Sequence, residues 1–168
     1  GFQVTYVQPN SEGFTDPQEI EKAITPRTGL IAIMHVNNEI GVINDIKRIG
    51  EIAEKHSVLF HCDAAQSFGK IPIDVQGMNI HLLSISAHKI YGPKGIGALY
   101  IRKKSPKVEI EPLLFGGGQE RGLRPGTLAT PLIAGLAEAS RIAREEMASE
   151  GKRLQELRDY LFNGLREK

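Results

Sequence analysis

Leu30-Ile31-Ala32-Ile33-Met34-His35-Val36, then Asp45 through Ala53, then Val58-Leu59-Phe60-His61-Cys62-Asp63 is the stretch that decides the fold. Its outer pieces are short and mostly apolar, as expected of strands covered on both faces of a parallel sheet. Between them Asp45 stands as an N-cap before Ile46, Ile49, Ile52 and Ala53, which recur at helical spacing. Strand, helix, strand is the βαβ unit. The predicted class is therefore α/β, a mostly parallel sheet flanked by helices in three αβα layers.

Working outward, Phe2 to Val7 alternates and is rich in β-formers, which predicts a strand. Asn10 to Gly13 reads as a turn. Asp16-Pro17 opens a helix with Asp as cap, Pro at the first helical position and Glu19 completing a capping box. Ile20, Ala23 and Ile24 are its buried stripe, and Pro26 ends it.

On the other side, Leu82, Leu83 and Ile85 form a strand that delivers Ser86-Ala87-His88-Lys89-Ile90-Tyr91-Gly92-Pro93-Lys94-Gly95. The chain resumes as a strand at Ala98-Leu99-Tyr100-Ile101, and Val108 to Phe115 reads as a short extended piece. The glycine-rich run Gly116 to Thr127 permits close backbone approach to a ligand or another chain. It lacks the Gly-Lys-Ser/Thr that a nucleotide phosphate loop requires. Thr130-Pro131 opens a helix with Ile133, Leu136, Ala137, Ser140 and Ala143 on one side. Leu154, Leu157, Leu161 and Leu165 carry a second stripe, with a break expected at Gly151.

The 168 residues, 40% hydrophobic and 24% charged, suffice for one substantial core. A net charge of +1 offers no electrostatic attraction to nucleic acid or an anionic membrane. No apolar run reaches the length of a bilayer span. One cysteine, Cys62, allows neither an internal disulfide nor a metal-ligand spacing, which suits a reducing compartment. The chain opens without an initiator methionine and closes in a helical pattern, so it reads as a piece of a longer protein.

In parallel sheets the ligand crevice lies beyond the carboxyl ends of the strands. Three successive strands place polar residues there: Asn38, then Asp63 and Gln66, then Ser86, His88 and Lys89. Ammonium groups are rarely buried unpaired, and a desolvated lysine loses its proton readily and condenses with carbonyl compounds. Ser86 and His88 flank Lys89 and are placed to address one anion. A carbonyl-bearing phosphate ester fits that set, and pyridoxal phosphate is the natural candidate. The bland alternative is a solvated loop lysine beside a turn histidine; the alignment of polar residues at one sheet edge argues against it.

The stretches His35-Val36-Asn37-Asn38-Glu39-Ile40-Gly41, His61-Cys62-Asp63-Ala64-Ala65-Gln66, Ser86 to Gly95 and Gly116-Gly117-Gly118-Gln119-Glu120-Arg121 together resemble the cysteine desulfurases. The likeness is to the branch serving iron–sulfur cluster assembly, within the class V aminotransferase-like, fold type I pyridoxal-phosphate enzymes. It implies a pyridoxal-phosphate-binding large-domain core over residues 1–130, incomplete at its amino-terminal side. Residues 131–168 would be helices leading towards a carboxy-terminal small domain. It implies that Lys89 holds the cofactor as a Schiff base and later moves the substrate α-proton. Asp63 would face the pyridine nitrogen and keep it protonated, so that the ring draws electrons. Gln66 and Asn38 would bond around the ring oxygen, Asn38 also near the substrate carboxylate. Ser86 and His88 would bind the phosphate. Thr127 resembles the residue lent to the neighbouring subunit's phosphate, which implies a homodimer with shared active sites.

The implied reaction converts L-cysteine to L-alanine and leaves a persulfide on a loop cysteine, for delivery to iron–sulfur scaffold or sulfur-acceptor proteins. Cys62 is not that cysteine: side chains alternate along a strand, so if Asp63 faces the ring, Cys62 faces away. His61 shares the parity of Asp63 and reads as a hydrogen-bonded structural histidine; His35, His56 and His81 read as structural or surface residues. These residues alone are expected to be inactive, since the family's ring-stacking histidine, substrate-binding arginine and catalytic cysteine lie elsewhere. The resemblance implies a cytoplasmic protein, or a mitochondrial one in a eukaryote, with no metal. Selenocysteine lyase is the alternative within the same enzymes, and a non-catalytic partner-binding module the alternative outside them.

Overall fold

The computed structural model describes residues 1–167. Four strands, β1 (Leu30–Met34), β2 (Leu59–Asp63), β3 (Leu82–Ser86) and β4 (Gly97–Ile101), form one sheet in chain order. The first three are mutually parallel and β4 returns antiparallel. The tight connection between β3 and β4 explains that reversal, because a parallel return needs a long crossover.

Helix α1 (Pro17–Ala23) and helix α2 (Ile46–Lys55) begin where their caps predict. Asp16 accepts from Gln18 N–H at 2.8 Å and Asp45 from Arg48 N–H at 3.0 Å. Glu19 pairs with Lys22 at 2.6 Å instead of completing a capping box. The register sets Ile31 beside Phe60, Ile33 beside Cys62 and Met34 beside Asp63. Alternation therefore turns Ile31, Phe60, Cys62 and Leu83 to one face, where Ile20 of α1 and Ile46, Ile49 and Ala53 of α2 join them in the core. Gly50 lets α2 come close to the loop before β3: a Cβ there would stand 1.9 Å from the Met78 carbonyl oxygen.

The apolar strands predict cover on both faces, but α1 and α2 cover only one. On the other, Leu30 and Leu99 are 51% and 46% exposed. Phe2 to Val7 alternates like a strand yet pairs with none among the described residues; only Val7 packs against the core. A strand needs a neighbour to satisfy its backbone, and alternation does not supply one. Val108 to Phe115 is likewise unpaired as a strand, with Val108 buried and its N–H bonded to the Arg102 carbonyl at 3.0 Å.

The expected break at Gly151 does not occur. Helix α3 runs unbroken from Thr130 to Arg166. One glycine costs a helix about 1 kcal/mol, too little to end it where the Glu150–Arg153 pair spans the position and the Lys152–Glu156 pair follows directly. The first half of α3 braces the turn after β3. Gly135 faces Pro93, Gly92 faces Ala139 and Gly69 faces Ala143, each where a Cβ would come within 3.2 Å.

Candidate active site

Because β1, β2 and β3 are parallel, their carboxyl ends lie on one edge, and the loops leaving that edge meet. An open cavity of about 190 Å³ there is lined by Met34, Val36, Asn38, Asp63, Ala65, Gln66 and Lys89. Four of the predicted residues, Asn38, Asp63, Gln66 and Lys89, thus come together. Ser86 and His88 are bonded to each other beside Lys89, Oγ to Nδ1 at 3.1 Å, and do not line the cavity. Thr127 is exposed on the glycine-rich loop and does not line it either. A wider hollow of about 500 Å³ lies along α3 between Ala137 and Glu145. It is the flank of a helix bearing the Arg141–Glu138 and Arg141–Glu145 pairs, with no convergent reactive groups.

Asp63 is placed by its backbone and half-used by its own turn. Its carbonyl accepts from His35 N–H at 2.8 Å and its Oδ1 from Ala65 N–H at 2.9 Å. No protein donor among the described residues takes Oδ2. Lys89 stands on a 3₁₀ turn, Ala87–Ile90, whose buried ends Ala87 and Ile90 anchor it. Tyr91 closes that turn in the left-handed region (φ 64°) and Gly92 N–H returns to the Ala87 carbonyl at 2.9 Å. Glycine suits position 92, since a Cβ would press on that same carbonyl oxygen at 3.0 Å.

Two residues with a bearing on the site escaped the sequence reading. Asn37 organises the loop that presents Asn38: its Oδ1 accepts from Glu39 N–H at 2.8 Å and Ile40 N–H at 3.1 Å, and its Nδ2 reaches Met34 Sδ at 3.5 Å. The doubled asparagine was the available signal, since Asx turns favour Asn before a tight bend. The second is Lys70. Burial, and then the charge of Lys89, push its ammonium below the ordinary lysine value. Nothing local in the sequence marks that proximity.

The remaining groups fall as their strand parity predicts. Cys62 is fully buried on the core face, and burial followed by the charge of Asp63 pushes its thiol up to about 12. His61 Nε2 lies 2.7 Å from Ser84 Oγ. His81 is buried and its Nδ1 accepts from Phe60 N–H at 3.1 Å. His35 is buried with Nδ1 unpartnered, and His56 bonds Glu21 at 2.8 Å on the surface. Among the described residues no cluster of His, Cys, Asp or Glu could hold a metal ion, and no helix is long and apolar enough to cross a membrane.

The donor set fits pyridoxal phosphate. One cavity offers an amine for its aldehyde, an uncommitted carboxylate oxygen for its ring nitrogen and two amides for its ring oxygen, with a hydroxyl–imidazole pair adjoining.

The description Aminotransferase class-V belongs to the family model that matches residues 1–168. The cysteine desulfurase IscS of Ehrlichia chaffeensis is 56% identical over 167 residues, which are 99% of this chain and 41% of that protein. The mitochondrial cysteine desulfurase of Eremothecium gossypii is 56% identical over 165 residues, 98% of this chain and 34% of its own length. Among solved structures, a NifS-like protein superposes with a TM-score of 0.93 at 44% identity, over 99% of this chain and 46% of that one. SspA in complex with cysteine gives 0.80 at 55% identity, over 84% and 40%. The chain thus spans about two-fifths of the length of such relatives. These matches and the geometry agree: the chain belongs to the class V aminotransferase family.

Proposed function

We propose that these residues are the cofactor-binding core of a pyridoxal-phosphate-dependent cysteine desulfurase, acting on L-cysteine to give L-alanine and protein-bound persulfide sulfur. The observation that carries the reading is the convergence of Lys89, Asp63, Asn38 and Gln66 on one cavity at the carboxyl edge of the sheet. A structural neighbour was solved in complex with cysteine, and the sequence relatives above are cysteine desulfurases. When bound, pyridoxal phosphate supplies an electron sink for negative charge developing on the substrate α-carbon.

Holding and orienting that group falls to residues of this chain. Lys89 Nζ would hold the cofactor's aldehyde, and the same amine is placed to carry the substrate α-proton as general base. Asp63 Oδ2 would accept from the ring nitrogen and favour its protonated form. Gln66 and Asn38 orient the ring oxygen, and Asn38 also receives the substrate carboxylate. Ser86 and His88 hold the phosphate. Thr127 reaches the phosphate of a second copy, which makes the working unit a homodimer with shared sites. The persulfide forms on a cysteine other than Cys62, whose thiol is buried on the wrong face. The sulfur passes to an iron–sulfur scaffold or another acceptor protein, in the cytoplasm or, in a eukaryote, the mitochondrion. Bacterial and mitochondrial relatives support that placement.

The test is made on the full-length protein. It should purify yellow with bound pyridoxal phosphate, and Lys89→Ala should abolish the visible band and, in the presence of an added dithiol that reduces the persulfide, the release of alanine and sulfide from L-cysteine. A colourless protein, or a band unchanged in Lys89→Ala, refutes the reading. Preference for selenocysteine over cysteine in the same assay would make it a selenocysteine lyase.

A further inference from the structure

One polar pair lies on the site face of the sheet without a part in the chemistry above. His61 and Asp63 alternate with the buried Phe60 and Cys62 along β2 and so face away from the core. The β2–β3 register puts Ser84 directly beside Asp63, and His61 one step back beside Leu82. Neighbouring strands lie about 4.8 Å apart, which leaves a serine hydroxyl able to reach the neighbouring carboxylate after a rotamer change. That hydroxyl turns the other way, onto His61 Nε2 at 2.7 Å.

The choice matters because Asp63 has one oxygen left to give. Oδ1 is committed to Ala65 N–H at 2.9 Å. A hydroxyl bonded to Oδ2 would compete with the ring nitrogen for that oxygen and weaken a charge-assisted bond. We propose that His61 is a positioning residue: it takes the single proton of the Ser84 hydroxyl on Nε2, turns that hydroxyl away from Asp63, and reserves Asp63 Oδ2 for the cofactor ring nitrogen. The proposal rests on the pyridoxal-phosphate reading and assigns His61 the tautomer with its proton on Nδ1. The histidine two residues before the ring carboxylate thereby gains a purpose that packing alone does not give it.

The consequence is an unusual pattern of rescue, read by titrating the full-length apoprotein with pyridoxal phosphate. His61→Leu should weaken cofactor binding about tenfold, the scale of one competing hydrogen bond. Ser84→Ala alone should bind no more weakly than the unaltered protein. In the double variant His61→Leu/Ser84→Ala binding should return to within about threefold, because the competitor is gone. His61→Gln, whose amide oxygen can still accept the hydroxyl, should bind within about threefold. Should His61→Leu not fold, His61→Asn, polar but too short to reach Ser84, is read in its place. The pH midpoint of the visible band should move in the single variant and return in the double. If the double variant binds as weakly as the single, His61 serves packing and the proposal falls; it falls equally if loss of His61 leaves binding unchanged. Failure of the unaltered protein to bind pyridoxal phosphate would instead overturn the reading beneath it.

Discussion

Asn38 reaches the cavity because its neighbour gives up its own side chain to the backbone. Asn37 accepts two loop N–H groups, donates its own N–H to Val42 O at 2.9 Å and accepts Gly41 N–H at 3.1 Å. Asn37→Ala would leave those N–H groups to water and release Asn38, so pyridoxal phosphate should bind about tenfold more weakly to the full-length protein. Asn37→Asp, which retains an acceptor, should restore most of that affinity in the same titration. Equal effects from both substitutions would show that the side-chain acceptor is not what holds the loop. At this scale the sequence was legible for four of the residues that meet in the cavity and silent for those that place them. Lysine, aspartate and paired amides announce themselves by type, whereas Asn37 and Lys70 matter only through neighbours the chain brings from elsewhere.

Elements were legible where the chain carries its own instructions. Asp16 and Asp45 cap the helices they precede, and Ile46, Ile49, Ile52 and Ala53 bury the stripe their spacing draws. Phe2 to Val7 shows the reverse case, since pairing depends on a second strand. Helix α2 also shows how close packing restricts a position that looks permissive. Gly50 reads as a weak point in a helix, where alanine ordinarily gains about 0.5–1 kcal/mol. Here the Met78 carbonyl occupies the place of a Cβ at 1.9 Å, and that atom belongs to backbone. Gly50→Ala should therefore destabilise the fold by about 1–3 kcal/mol, read as a lower urea midpoint with unchanged slope. A gain in stability would mean that the loop before β3 yields freely.

For the molecule as a whole, two buried histidines tie stability to pH. His81 accepts from Phe60 N–H, so protonating its Nδ1 would set two donors against each other. Burial first, and then the charge of Arg102, hold it below the ordinary histidine value, with Glu54 opposing weakly. His35 is lowered by burial alone. The neutral forms are the folded ones, and the unfolded chain binds more protons as acid is added. This contribution is therefore complete above about pH 6.5 and is lost as pH falls through the lowered folded-state values. Urea midpoints of the full-length protein should be flat from neutral pH upward and fall on acidification. His81→Asn, which keeps an acceptor opposite Phe60, should flatten that fall. An unchanged slope would mean that His81 is not the titrating group.

By itself the sequence determined the α/β class, the helix starts, the orientation of Cys62 away from Asp63 and the reactive residue types, because caps, periodicity and alternation act within a few residues. Only the tertiary structure decided that Asn38, Asp63, Gln66 and Lys89 share one cavity, that β4 runs antiparallel, that α3 passes Gly151 unbroken and that Ser84 turns to His61. Those outcomes rest on register and close approach between segments distant in the chain, which local pattern does not encode.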